Sequence, residues 1–231
     1  MRIVLLHSPL VGPTTWSAVA TQLRRAGEQV VVPDLRSAVT GEPPFLRAAG
    51  RVVASAVDRA PEDGPLLLVG HSGVGPLMPG IADGCRTAIE ALVYVDAGLP
   101  HPGSNWFERA PKDLADHVRH LQTDGTLPPW DEWFQPGAVA ALIPDPTVLA
   151  RFRHELPRLP IAFLAEPTPP VTWTDPCGYL LLSEGYRAEA DEARRQSRPV
   201  VEYLSHHLAM LTEPGEIADA LSRLCRLLVT G

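Results

Sequence analysis

Six short runs of the chain are apolar almost throughout: residues 2–6, 29–32, 65–69, 89–95, 179–182 and 199–204. Each is rich in Val, Ile, Leu or Tyr and is bounded by Gly, Pro, Asp or Ser. Runs without polar alternation suit strands buried on both faces, as in a parallel sheet covered by helices. The segments between them carry a helical period. Trp16, Val19, Ala20 and Leu23 share one helix face, with Thr14 or Thr15 as N-cap and Gly27 as the stop. A second helix is predicted over 44–59, and a charged surface helix over 188–196. Ile217, Leu221, Leu224 and Leu228 form one stripe of a C-terminal packing helix. Strand and helix in alternation predict an α/β fold: a mainly parallel sheet of about six strands, joined by right-handed crossovers and flanked by helices.

The alternation lapses over residues 99–175, before the next-to-last strand. This stretch is rich in proline, holds four of the five tryptophans and has only short helical pieces, such as 148–156. Long ordered insertions of this kind are usually functional, so the segment is expected to form a lid over one end of the sheet. The alternative is a structural excursion without a binding role.

Composition narrows the class. A chain of 231 residues with 45% hydrophobic content supports one core and hence one domain, 1–231. The net charge of −7 argues against nucleic acid or an anionic membrane as partner and leaves a small-molecule substrate. Cys85, Cys177 and Cys225 are sparse, odd in number and without CxxC spacing, as free thiols in a reducing compartment would be. No Cys/His spacing suggests zinc, so neither metal nor organic cofactor is expected. The apolar N-terminal run is too short for a signal peptide, and no window reaches the length of a membrane span. A cytoplasmic protein is expected, of a bacterium with a GC-rich genome from its Ala, Arg and Pro usage. The oligomeric state is open.

The chemistry-bearing residues lie at strand ends. The run 66–69 leads into Gly70-His71-Ser72-Gly73-Val74-Gly75 and then a helical pattern. A serine at a tight strand-to-helix turn projects its hydroxyl from the carboxyl edge of the sheet, with the helix N-terminus aimed where negative charge develops. Near the other end, the strand 200–204 is followed by Ser205-His206-His207 and, seven residues after His207, Pro214.

This arrangement resembles the α/β-hydrolase superfamily, whose nucleophile elbow has the same strand–turn–helix context and whose catalytic histidine follows the last strand. The resemblance implies Ser72 as nucleophile and His207 as general base. The G-x-S-x-G pattern is incomplete, since Val74 stands where the last glycine is expected. For the acid, the resemblance points to the loop after the next-to-last strand, where Tyr186 occupies about the expected position and Glu184 lies close by. Some members place the acid after the preceding strand instead, where Asp96 stands. Asp96 is preferred over Glu184, and a Ser-His pair without an acid remains open.

After the first strand, His7-Ser8-Pro9-Leu10-Val11-Gly12-Pro13-Thr14-Thr15-Trp16 resembles the loop of the plant methylesterase and hydroxynitrile lyase group. There the second residue after the histidine often donates its N–H to the oxyanion. Here that residue is Pro9, which has none. The amide of Gly73 is one available donor, and the Leu10 amide or the Ser8 hydroxyl is a substitute for the other. His7 is read as a structural residue of the loop. Trp16, Trp106, Trp130, Trp133 and Tyr186, with Phe107, Phe134 and Trp173, are candidates to line an apolar pocket over Ser72, although aromatic side chains are as often plain packing. Three functions are consistent with these residues. The first is hydrolysis of a small carboxylic ester, thioester or lactone. The second is a lyase or cyclase reaction driven by proton transfer on the same Ser-His pair, and the third is ligand binding on the same fold.

Overall fold

A computed structural model describes residues 1–58, 64–170 and 173–229. Six parallel strands form one sheet: β1 (Arg2–Leu6), β2 (Gln29–Val31), β3 (Leu66–His71), β4 (Ala91–Val95), β5 (Cys177–Leu181) and β6 (Val200–Glu202), in the spatial order β2-β1-β3-β4-β5-β6. The two outer strands are the shortest, as edge strands with a single neighbour usually are. β3 sits near the middle and pairs with β1 and β4, with Val69 opposite both Leu5 and Val93.

Each central strand is buried along its length, and its side chains alternate between two cores. Ile3, Leu5, Leu67, Val69, Val93 and Val95 face one layer, formed with the helices Thr14–Arg25 and Pro214–Val229. Val4, Leu6, Leu66, Leu68, Leu92 and Tyr94 face the other, with Phe45–Val57 and Arg187–Arg195. The continuous apolar runs follow from helices on both faces. The predicted strand 199–204 is shorter than expected. Of the predicted helix 44–59, Arg59 lies outside the described residues.

The first helix is not capped by a threonine of its own. Its N-cap position is Pro13, and Thr15 donates its hydroxyl back to the Gly12 carbonyl. The first amide of that turn is met instead by Glu155, which accepts from Thr14 N at 2.7 Å and from the Thr14 hydroxyl at 2.6 Å, while the Thr15 and Trp16 amides donate to the Gly12 and Pro13 carbonyls. Glu166 does the same for Phe45–Val57, accepting from Phe45 N at 2.8 Å and Leu46 N at 3.0 Å. A carboxylate at a helix N-terminus satisfies free amides and complements the helix dipole. Both carboxylates belong to the segment 99–175.

That segment folds into short helices, Trp106–Arg109, Lys112–Leu121, Ala138–Leu142, Pro146–His154 and Ile161–Ala165. It has small cores of its own. Val139, Ile143 and Phe152 pack with Val11, Leu208 and Leu211, and a second cluster includes Leu10. Leu10 and Val11 follow β1 and Leu208 follows β6, so the segment rests on loops at the carboxyl end of the sheet. No helix among the described residues is long and apolar enough to cross a membrane.

Candidate active site

The carboxyl end of β3 turns sharply at Ser72, whose φ of 58° is in the left-handed region. For a residue with a side chain this costs about 1–2 kcal/mol and persists only where packing imposes it. The tightest packing of this turn is at Gly75. A Cβ there would lie 2.2 Å from the Gly98 carbonyl oxygen and 3.0 Å from Ala97 Cβ. The turn after β3 is thus pressed onto the turn after β4, and the close approach falls at position 75, not at 74. Val74 is free to be a fully buried core residue. The incomplete elbow pattern has this physical reason. Residues Ser72–Leu77 form a 3-10 turn, and the α-helix proper is only Met78–Asp83. Pro76 lies within that 3-10 turn and has no N–H to donate.

His207 lies in the loop after β6. Its Nε2 is 3.0 Å from Ser72 Oγ, and its Nδ1 is 2.7 Å from Asp96 Oδ2. An ionised carboxylate only accepts, so Nδ1 carries the proton and Nε2 presents its lone pair to the Ser72 hydroxyl. Asp96 is fully buried, with φ 42°. Its Oδ1 accepts from Leu182 N and Ser183 N, both at 2.9 Å, and Oδ2 also accepts from Ser183 Oγ at 2.5 Å. Burial pushes its carboxyl up. The hydrogen bonds and the attraction of His207 outweigh that, and the net shift is below the ordinary carboxylate value. Glu184 is exposed and paired with Arg187 at 2.7 Å. Of the two acids weighed from sequence, Asp96 touches the histidine and Glu184 does not.

Several neighbours hold this line of groups. His71 Nε2 donates to the His207 carbonyl at 2.9 Å, with ring centroids 4.5 Å apart. Burial, reinforced by His207, holds the His71 imidazole well below its ordinary value, and its Nδ1 is buried without a partner among the described residues. Tyr179, fully buried, accepts from Ala97 N at 3.0 Å and donates to Ala97 O at 2.8 Å, pinning the residue after Asp96. Neither Tyr179 nor Ser183 stood out in sequence. Both belong to β5 or its end, and their role is visible only once β5 is known to lie beside β4.

The loop after β1 is fixed from behind. Leu35 N donates to His7 Nε2 at 3.0 Å, so the ring proton sits on Nδ1 and is donated to the Ser8 carbonyl at 2.8 Å. Burial pushes this imidazole down, and it stays neutral. Leu10 N donates to Ser8 Oγ at 3.3 Å, within its own loop. Ser8 Oγ in turn lies 3.3 Å from the point where a Gly73 side chain would begin, with Pro9 Cδ at 3.8 Å. The hydroxyl of Ser8, its proton not spent on Leu10, therefore stands beside Gly73. The Gly73 amide falls in the first turn of its helix, where no intrahelical acceptor exists.

A cavity of about 760 Å³, counting its open mouth, adjoins this place and is lined by Pro9, Leu10, Gly73, Leu77, Trp106 and Phe163 among others. Of the aromatic candidates, Trp106 lines it. Trp130 and Tyr186 instead flank His207, with centroids at 6.3 Å and 5.1 Å. Trp16 is fully buried in the core, donating Nε1 to the Leu6 carbonyl, and Trp133 donates to the Pro128 carbonyl. Neither lines the cavity.

A serine on a strained strand-to-helix turn, with a histidine from the chain's end beside it and a parallel sheet beneath, is the arrangement of the α/β-hydrolase class. Residues 3–220 match the model of the alpha/beta hydrolase family, and the chain belongs to it. Among characterised relatives, a carbendazim hydrolyzing esterase of Nocardioides sp. (strain SG-4G) is 33% identical over 122 residues, 51% of this chain. The match spans about half, 50%, of that relative's length. Solved structures with the same fold include an extracellular α/β-hydrolase from a Paenibacillus species (TM-score 0.71, 18% identity, 97% of this chain and 98% of that one). Others are a pyrethroid hydrolase (TM-score 0.72, 20% identity, 100% and 99%) and polyneuridine aldehyde esterase (TM-score 0.71, 18% identity, 97% and 98%).

Proposed function

We propose that the chain is a serine-dependent hydrolase of small carboxylic esters, thioesters or lactones, working through Ser72, His207 and Asp96. The observation that carries this reading is the unbroken hydrogen-bonded line from Ser72 Oγ through both nitrogens of His207 to Asp96. His207 takes the Ser72 proton as Oγ bonds to the substrate carbonyl carbon, and the carbonyl π pair moves onto oxygen. The Gly73 N–H and the Ser8 hydroxyl stabilise that oxyanion, with Ser8 in place of the donor that Pro9 lacks. Collapse breaks the bond to the leaving oxygen or sulfur, which receives the proton from His207 Nε2. Water then repeats the sequence on the acyl-serine. Asp96 keeps the proton of His207 on Nδ1 and stabilises the imidazolium. The apolar cavity beside Gly73 takes an apolar group of the substrate, and the segment 99–175 acts as the lid over it. The esterase and hydrolase relatives support the reaction class.

A second reading keeps the residues and changes the reaction. Pro9, which removes a backbone oxyanion donor, suits a lyase or cyclase, in which Ser72 and His207 only transfer protons. The two readings part on whether an acyl-enzyme forms. Intact-mass measurement after incubation with a fluorophosphonate is expected to show one adduct per chain, absent in Ser72→Ala. A folded wild-type protein that takes up no label would overturn the hydrolase reading in favour of proton transfer.

A further inference from the structure

The position at which the family commonly carries its acid is filled here by Tyr186, with the acid role supplied from β4. Tyr186 ends the 3-10 turn Glu184–Tyr186 that follows β5. That turn is tied down on both sides. Ser183 is bound to Asp96 through its amide and hydroxyl, and Arg187 pairs with Glu184 at 2.7 Å and with Glu202 at 2.9 Å. The phenol ring consequently lies flat on the His207 imidazole, centroids 5.1 Å apart and planes 7° from parallel. Its hydroxyl is 3.5 Å from Ser72 Oγ, too long for a strong hydrogen bond, and no closer acceptor is found for it among the described residues.

Three facts bear on what this hydroxyl does. Burial pushes the phenol up to about 12, so it keeps its proton at neutral pH and is a donor. It lies 3.5 Å from Ser72 Oγ while its ring is stacked on His207, and Tyr186 is not among the residues that line the cavity beside Gly73. In a tetrahedral intermediate, the leaving atom is bonded to the same carbon as Oγ and must face His207 Nε2 to receive its proton. A hydroxyl held close to both Oγ and the His207 ring is within reach of that leaving atom.

Resting on the hydrolase reading above, we propose that Tyr186 is a catalytic residue that donates a hydrogen bond to the leaving oxygen as the acyl bond breaks, and so selects for substrates with poor, alkoxide-like leaving groups. The proton that completes the leaving group still comes from His207. Tyr186 keeps its own proton and carries part of the negative charge until that transfer is done. An alkoxide needs this help and a nitrophenolate, already stable as an anion, does not.

The test compares a simple alkyl ester and the 4-nitrophenyl ester of the same acid, using kcat/KM, which reports acylation. Tyr186→Phe keeps the ring on His207 and removes only the donor. It is expected to lower kcat/KM for the alkyl ester by roughly tenfold to a hundredfold, the range for one hydrogen bond to a developing charge, and to leave the nitrophenyl ester near wild type. Tyr186→Leu, which also removes the stacked ring, is expected to lower both. A Phe variant that slows both esters equally, that slows the aryl ester more, or that changes neither overturns the proposal. Ser72→Ala run alongside separates the two levels of inference. If it retains turnover the hydrolase reading fails, whereas if it is inactive and the Phe variant is indiscriminate only the role of Tyr186 falls.

Discussion

Asp96 meets two demands that normally conflict, a fully buried position and an ionised carboxylate. Each oxygen has its own donors, the backbone amides of Leu182 and Ser183 on one, the Ser183 hydroxyl and His207 on the other. Replacing it tests orientation more than charge. Asp96→Asn presents an amide where only an acceptor suits Nδ1–H, and the favoured tautomer of His207 is lost. The expected fall in kcat is roughly 10³- to 10⁴-fold, the size seen when the acid of a triad is changed in this way. A titration of activity with mutant protein checked for folding measures it, and a loss below tenfold would remove Asp96 from the mechanism. Ser72, His207 and Asp96, which the structure brings into contact, could be singled out in the sequence because each follows an apolar run. The choice of Asp96 over Glu184 was not settled there. It depends on β4 and β5 being neighbours, with Asp96 N bonded to Leu180 O, and strand order is not written in any local pattern. Tyr186 is the sharper case. As a sequence position it reads either as a substrate-contacting phenol or as an ordinary loop tyrosine, and the stack on His207 is what places it beside the site.

Among the elements, the two helices that begin at Thr14 and Phe45 have no side-chain cap of their own and borrow one from far along the chain. Glu155 and Glu166 each accept two hydrogen bonds from a first turn. Glu155→Ala and Glu166→Ala are each expected to lower unfolding free energy by about 1 kcal/mol, the usual worth of an N-cap. The double substitution is expected to be close to the sum, because the two carboxylates share no partner. Urea unfolding measures both. A strongly sub-additive pair would mean that one latch already depends on the other. Helix positions themselves were legible from periodicity, with Gly27 at φ 89° ending the first as its position suggested. The caps were not, since nothing in Pro13 or Pro44 announces that a glutamate more than a hundred residues away completes the turn.

At the scale of the whole molecule, two buried imidazoles set the acid side of the stability profile. His7 and His71 are both held below the ordinary histidine value of 6.5 by burial. The unfolded chain therefore binds protons at these sites before the folded chain does. Their contribution is full above about pH 6.5 and is lost as pH falls from there toward their depressed values. Asp96, also depressed, adds a second loss that sets in only below the ordinary carboxylate value of 3.8. Urea midpoints measured from about pH 8 down to about pH 5 are expected to fall on the acid side of this range, and less steeply in a His71→Asn variant. A flat profile across that interval would show that neither imidazole is held neutral by the fold. The sheet that buries both residues was evident in outline from the six apolar runs. That His71 would be held between Trp16 and His207, its Nδ1 without a partner among the described residues, was not.

The borrowed caps bear on how molecules enter and leave. A cover hinged at one edge must swing for each turnover, and its rate of swinging then limits traffic. Here the segment 99–175 is riveted to the body at two separate helix ends, and unfastening either exposes four bare donors or acceptors. Under the proposed lid role, substrates are expected to enter through the standing mouth of the cavity beside Trp106, and the dimensions of that doorway, more than any motion, to decide which molecules are admitted.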